Sequence, residues 1–181
     1  NMAAGGVELY GRSITNASDR AVVRSPSAIL LTAQGRLGDI GSASDPIRID
    51  TAGGGGDSAW VDVSGRNVYV ANINPTDGLK VFTASASGHL SLAAAGDILV
   101  DRRLDWTGLH ARSIELVSTG GGIDVRIAAG ERDTVAIRAR AAGDISLEQA
   151  AGTMMISRIE SATGDVNINV NFTGSLPVPE V

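Results

Sequence analysis

The chain has 181 residues, 43% of them hydrophobic but only 3% aromatic, with 23 glycines, no cysteine, and 15 basic against 20 acidic side chains for a net charge of −5. Disulfides, thiolate chemistry and Cys-based metal sites are therefore excluded, and a nucleic-acid partner is not expected, because it would need a basic patch to displace counterions. No apolar run approaches the ~18 residues of a membrane helix, so membrane insertion is not expected either.

At the start, Asn1-Met2-Ala3-Ala4 has neither the basic start nor the apolar stretch of a signal peptide. Residues 1–6 read as an appended leader to a segment of something longer. From there a period of two dominates. Apolar residues stand two apart in Val7-Glu8-Leu9, Ile29-Leu30-Leu31, Ile47-Arg48-Ile49, Val61-Asp62-Val63 and Val68-Tyr69-Val70. The same pattern runs through Leu79-Lys80-Val81, Leu90-Ser91-Leu92, Ile98-Leu99-Val100 and Ile114-Glu115-Leu116. Val125-Arg126-Ile127, Val135-Ala136-Ile137, Ile145-Ser146-Leu147 and Val166-Asn167-Ile168-Asn169-Val170 complete it. Residues two apart share one face of a strand, so each triplet buries its ends and exposes its middle. No capped 3.6-residue stripe is present, and no helix is expected.

The strands are joined by a recurring turn: Gly38-Asp39-Ile40, Gly96-Asp97-Ile98, Gly143-Asp144-Ile145 and Gly164-Asp165-Val166. Successive aspartates are 58, 47 and 21 residues apart, close to three, two and one multiples of a unit of roughly 20 residues. A unit of that size holding two or three short strands is one coil of a parallel β-solenoid, stacked at ~4.8 Å, and about nine coils fit the length. The competing fold is an antiparallel sandwich, which usually carries buried aromatic anchors. Here the core residues are small aliphatics, and Trp60 and Tyr69 fall at outward positions. The predicted class is all-β, a right-handed parallel β-solenoid over 7–172, with the hand taken from the chirality of parallel crossovers. Residues 173–181 hold Leu176-Pro177-Val178-Pro179, which cannot continue a ladder and mark an exit or linker.

One stretch carries a family likeness. Gly38-Asp39-Ile40-Gly41-Ser42-Ala43-Ser44-Asp45-Pro46-Ile47-Arg48-Ile49 resembles the G-x-I-G-S/T-A-x-x-P-L/I-x-I segment of giant bacterial surface proteins of the filamentous-haemagglutinin type. Gly88-His89-Leu90-Ser91-Leu92-Ala93-Ala94-Ala95-Gly96-Asp97-Ile98-Leu99-Val100 is similar to their G-x-L-x-L-x-A-x-G-D-I-x-V runs. The likeness is one of repeat texture and spans roughly Gly6 to Val170. It implies a right-handed β-helical shaft, secreted and displayed at the cell surface, that serves adhesion or spaces a distal module. Asn74-Pro75-Thr76-Asp77 lacks the second Asn of that family's secretion-domain motif, which assigns the segment to the shaft. A cysteine-free chain suits export in the unfolded state.

Catalysis finds little to work with. His89 and His110 are the two histidines, and neither adjoins a nucleophile motif. The reading for each is an exposed or locally hydrogen-bonded side chain, and no catalytic residue, cofactor or metal is assigned. Gly53-Gly54-Gly55-Gly56-Asp57-Ser58 approaches the calcium-binding β-roll repeat but places Ser58 where Asp belongs, and it occurs once, so a loop is the better reading. Asp39, Asp97, Asp144 and Asp165 read as turn residues that hydrogen-bond the backbone two residues on. A β-helix enzyme acting on acidic polysaccharide, a lyase or glycosidase, would gather carboxylates and cations on one outer face. Its best place is Asp101, Arg102, Arg103, Asp105 and Trp106; behind it come Asp124 with Arg126, and Arg138 with Arg140.

The leading expectation is a structural and adhesive segment whose candidate ligand surface is Trp60, Tyr69, Arg102, Arg103 and Trp106. Its partners would be a host-cell receptor, a glycan or a protein, the neighbouring coils of a parent chain, and, through unpaired strand edges at the rod ends, other copies end to end.

Overall fold

The computed structural model describes residues 6–34, 38–51, 60–74, 78–100, 108–130, 133–149 and 151–170. The described residues form sixteen strands and no helix. The first eight are β1 (Val7–Gly11), β2 (Val23–Arg24), β3 (Ile29–Ala33), β4 (Ile47–Asp50), β5 (Val61–Gly65), β6 (Val68–Asn72), β7 (Leu79–Ala86) and β8 (His89–Ala94). They continue with β9 (Ile98–Val100), β10 (Gly108–His110), β11 (Ser113–Ser118) and β12 (Ile123–Ile127). The last are β13 (Thr134–Ala141), β14 (Ile145–Gln149), β15 (Thr153–Ser161) and β16 (Val166–Val170).

Every recorded pairing between these strands is parallel, and the chain alternates between two sheets. The first sheet has the order β1-β3-β5-β7-β10-β12-β14-β16, with β9 beside β7 and β12, and the second runs β15-β13-β11-β8-β6-β4-β2. The fold is thus a parallel β-solenoid of about six turns, about 22 residues apart. The antiparallel alternative is eliminated. Six turns replace the nine that a 20-residue unit predicts because steps lengthen locally. Asp39 and its neighbour one turn on, Asn67, are 28 residues apart, while Asp97 and Gly122 are separated by 25. Most of the expected leader and exit lies outside the described residues.

Inward positions form unbroken columns along the axis. One runs through Val68, Leu90, Ile114 and Ile137, and another through Ile47, Val70, Leu92, Leu116 and Ala139. Both sheets contribute to one core, in which most aliphatic side chains are wholly buried. Columns of this kind favour Val, Ile, Leu and Ala, because each side chain must fit over its own equivalent about 4.8 Å away. The middle residue of each triplet faces out, as the period of two predicts. A few buried positions are polar, among them Asn72, Ser118 and Gln149. Gln149 occupies an inward position between Ile127 and Val170 in register, fully buried, and its Nε2 donates to the Ala151 carbonyl at 2.6 Å.

The Gly-Asp turns are structural, but their bonds differ from those expected. The Asp97 carboxylate accepts the backbone N–H of Gly122 at 2.6 Å, and the Asp144 carboxylate accepts that of Asp165 at 2.8 Å. Each carboxylate therefore bonds to the next turn of the rod rather than to its own loop. The main chain reinforces the link, with Ile123 N donating to Asp144 O and Ile145 N to Asp165 O, both at 2.8 Å. This crossing carboxylate explains the glycines. A Cβ at Gly121 would stand 2.6 Å from the Asp97 nitrogen, and one at Gly164 would stand 2.6 Å from the Gly143 carbonyl carbon. At the end of the second-sheet strands, Ser118 Oγ donates to Gly96 O at 2.8 Å and accepts from Gly121 N at 3.1 Å. Ser161 repeats this two turns on, donating to Gly143 O and accepting from Gly164 N, each at 2.8 Å.

Two substitutions separate these contributions in chemical denaturation. Gly121→Ala forces backbone apart and is expected to cost about 1–3 kcal/mol, the range for overpacking. Leu92→Ala, which empties part of a buried column, is expected to cost about 2–5 kcal/mol. A Gly121→Ala variant as stable as the parent would refute the crossing-carboxylate account.

Candidate functional site

The outer surface consists of two sheet faces and the corners between them. On the first sheet, Trp60 stands directly ahead of β5 and meets Phe82 edge-on, with ring centroids 6.5 Å apart at 69°. Phe82 is an extra residue. Val61 pairs with Val81 but Asp62 pairs with Thr83, and this bulge turns both Phe82 and Thr83 outward. Half-burial here pushes the Asp62 carboxyl above its ordinary pKa. The next level of the sheet is divided, since β9 ends opposite Val81 and β10 begins opposite Thr83. Asp101, Arg102, Arg103, Asp105 and Trp106 themselves lie outside the described residues, as does the glycine run Gly53 to Ser58. Val100 and Gly108, the described residues on either side of 101–107, are on the same sheet as Trp60.

Tyr69 belongs to the other sheet. It faces out from β6, half-buried, with its ring 5.3 Å from that of His89. Trp60 and Tyr69 are thus on different sheets and do not form one platform. His89 sits in a polar column ahead of the second-sheet strands, formed by Ser13, Asp39, Asn67, His89 and Ser113. Asp39 Oδ1 accepts from the backbone N–H and the side-chain amide of Asn67, both at 3.1 Å. Asn67 Oδ1 accepts from His89 N at 3.1 Å, and His89 Nδ1 lies 2.7 Å from Ser113 Oγ. Each member ties itself to the following turn, so the His89–Ser113 pair has the same job as its neighbours. His110, on β10, lines a corner groove of about 400 Å³ with Ser87, Arg112 and Asp133. Asp133 is engaged there with the Gly130 N–H at 2.9 Å. Among the described residues no group of three or more His, Asp or Glu could hold a metal ion.

A cluster of charge stands on the outer face of the second sheet, towards β15. In register, Glu115 stands beside Arg138 and Arg138 beside Arg158; the adjacent outward column runs Val117, Arg140, Glu160. Arg138 Nη1 approaches Glu115 Oε1 at 3.5 Å, and Arg158 Nη2 donates to Glu160 Oε1 at 2.5 Å. Among the described residues Arg140 pairs with no carboxylate. These five side chains line a groove of about 340 Å³. The sequence points to Arg138 with Arg140 through their two-residue spacing. It does not point to Glu115, Arg158 or Glu160, which join them only through register between turns. Asp124 and Arg126 occupy outward positions on β12 beside Ser146 and Glu148, on the other sheet.

Comparison of the chain with protein-family models, with curated proteins and with solved structures returns no match.

The polar column has a pH signature. Arg66 donates to Asp39 through Nε at 2.9 Å and through Nη2 at 2.5 Å, and with the Asn67 bonds this holds the Asp39 carboxyl below its ordinary pKa. A folded-state pKa below the unfolded value contributes stability above the usual carboxylate range, which is lost as pH falls through the lowered value. Asp39→Asn should therefore lower the melting temperature at pH 7, with the deficit shrinking in acid. A deficit that does not change with pH would show that the charge on Asp39 is immaterial.

Proposed function

We propose that this chain is a shaft segment of a large secreted bacterial surface protein, and that it extends and presents binding surface in adhesion. The observation that carries the proposal is the state of the last turn. Among the described residues, Val166, Ile168 and Val170 continue columns that are buried one turn earlier at Ile145, Leu147 and Gln149, yet they are 47%, 36% and 44% exposed. Ile156 continues the Ile137 column and is 53% exposed. A stack whose inward side chains remain uncovered at one end is built to receive another layer, since apolar surface of this kind gains roughly 25 cal/mol per Å² when covered. The likeness to filamentous-haemagglutinin-type repeats supports the same reading, with the cell surface as location and a host receptor, glycan or protein as partner. A polysaccharide lyase or glycosidase is the second reading, favoured only by the charged stretch Asp101 to Trp106.

Incubating the purified chain with host cells and acidic polysaccharides, while scoring retention and new reducing ends, separates the two. Retention without new reducing ends is expected. Products that disappear in an Asp101→Ala, Asp105→Ala double variant would replace the adhesive reading with the enzymatic one. The open turn gives a second expectation: sedimentation velocity should show concentration-dependent association that Ile168→Asp abolishes. A monomer at every concentration would mean that the exposed columns are covered within the chain.

A further inference from the structure

We propose that the Arg138–Arg140–Arg158 face binds an acidic polysaccharide through its uronate carboxylates. The inference rests on the reading of the rod as a surface that presents binding sites, and it names a ligand class for one of them. Three guanidinium groups meet here from two adjacent strands. Arg138 and Arg158 are direct register partners, about 4.8 Å apart at the backbone, and Arg140 lies two residues along β13 on the same face. Like charges held this close repel one another. Glu115 and Glu160 offset two of the three, which leaves one cation in excess at Arg140.

Arg140 is also where the surface is concave. It lines the 340 Å³ groove with Arg138 and Arg158, a groove of about 600 Å³ with Ser161 and Gly164, and one of about 220 Å³ with Thr119. All three border Arg140, so a chain lying in any of them meets the unpaired guanidinium. A planar carboxylate matches the planar fork of Arg through two parallel hydrogen bonds, which a lysine cannot reproduce.

The surroundings narrow the ligand. An acidic peptide adds to a sheet through a free strand edge; that edge is on β15, whereas Arg140 is on β13, hydrogen-bonded on both sides to β11 and β15, so the unpaired arginine offers only its side chain. Nucleic acid carries one phosphate per few ångströms and would meet Glu115 and Glu160 as well as the arginines. A polyuronate carries one carboxylate on each ring, and every ring also bears neutral hydroxyls. Those hydroxyls can donate to Glu115 and Glu160.

The test measures binding of the full chain to polygalacturonate, to its methyl ester and to neutral dextran at physiological salt. Binding to polygalacturonate alone is expected. Arg140→Ala and Arg140→Lys should each weaken it about tenfold or more, the effect of losing a charge-assisted bidentate contact. Arg20→Ala, which alters an arginine away from this face, should leave it unchanged. Circular dichroism and the melting temperature report whether each variant is folded. Equal binding of the methyl ester, unchanged affinity in a folded Arg140→Ala variant, or absence of binding at millimolar sugar would overturn the proposal. Polyuronate affinity is read on the isolated chain. It can fail while cell retention succeeds, and retention can fail while it succeeds.

Discussion

Parallel pairing between successive turns is the constraint from which the rest of this molecule follows. It places each residue about 4.8 Å from its equivalent one turn away, so a side chain is packed chiefly against its own column. An inward column must be filled by residues that stack on copies of themselves, and the core is accordingly Val, Ile, Leu and Ala in both sheets. Large rings have no place in such a column. Trp60, Tyr69 and Phe82 are all on outer faces, where neighbouring rings meet at an angle rather than stack.

The same spacing makes polar columns useful and dangerous. A side chain that bonds to the next turn staples the rod at its corners, where the ladder of one sheet has ended and the next has not begun. Repeating one charge along such a column would set like charges against each other. The column ahead of the second sheet avoids this by changing residue type at each level, from Ser13 through Asp39, Asn67 and His89 to Ser113, and its single carboxylate faces Arg66. Ahead of the first sheet, Gly122 separates Asp97 from Asp144 and supplies only a backbone N–H, whereas Asp144 and Asp165 stand on adjacent turns and the Asp165 N–H donates to the Asp144 carboxylate. The glycines of these turns serve the adjacent layer, because the space above them is taken by a carboxylate.

Outward positions are released from the stacking rule, and function has room there. The two faces have diverged. The first sheet is divided opposite Phe82, between Val100 and Gly108, while the second remains an unbroken set of strands whose outer columns become charged towards β15. The interior strands of such a surface offer side chains alone, since they have no free backbone edge. The exposed apolar columns of the last described turn are a separate feature.

The sequence by itself determined the strand triplets, the inward and outward assignment of each residue and the solenoid class. All of these depend on local alternation and on a repeat, and both are visible along a single chain. Every apolar triplet from Val7 to Val170 lies in a strand. What failed locally was whatever broke the period. In β15, Ser157 is an extra residue between the partners of Ile137 and Arg138, so Ile156 and Ile159 face inward three apart and no alternation signals the strand. The two-residue β2 and three-residue β10 are too short to show a period at all. Only the tertiary structure decided that Trp60 and Tyr69 are on different sheets. It alone showed that the turn aspartates bond across layers, and that Glu115, Arg138, Arg140, Arg158 and Glu160 form one surface. Each of those facts depends on register between turns, which irregular loop lengths set and which no run of consecutive residues encodes.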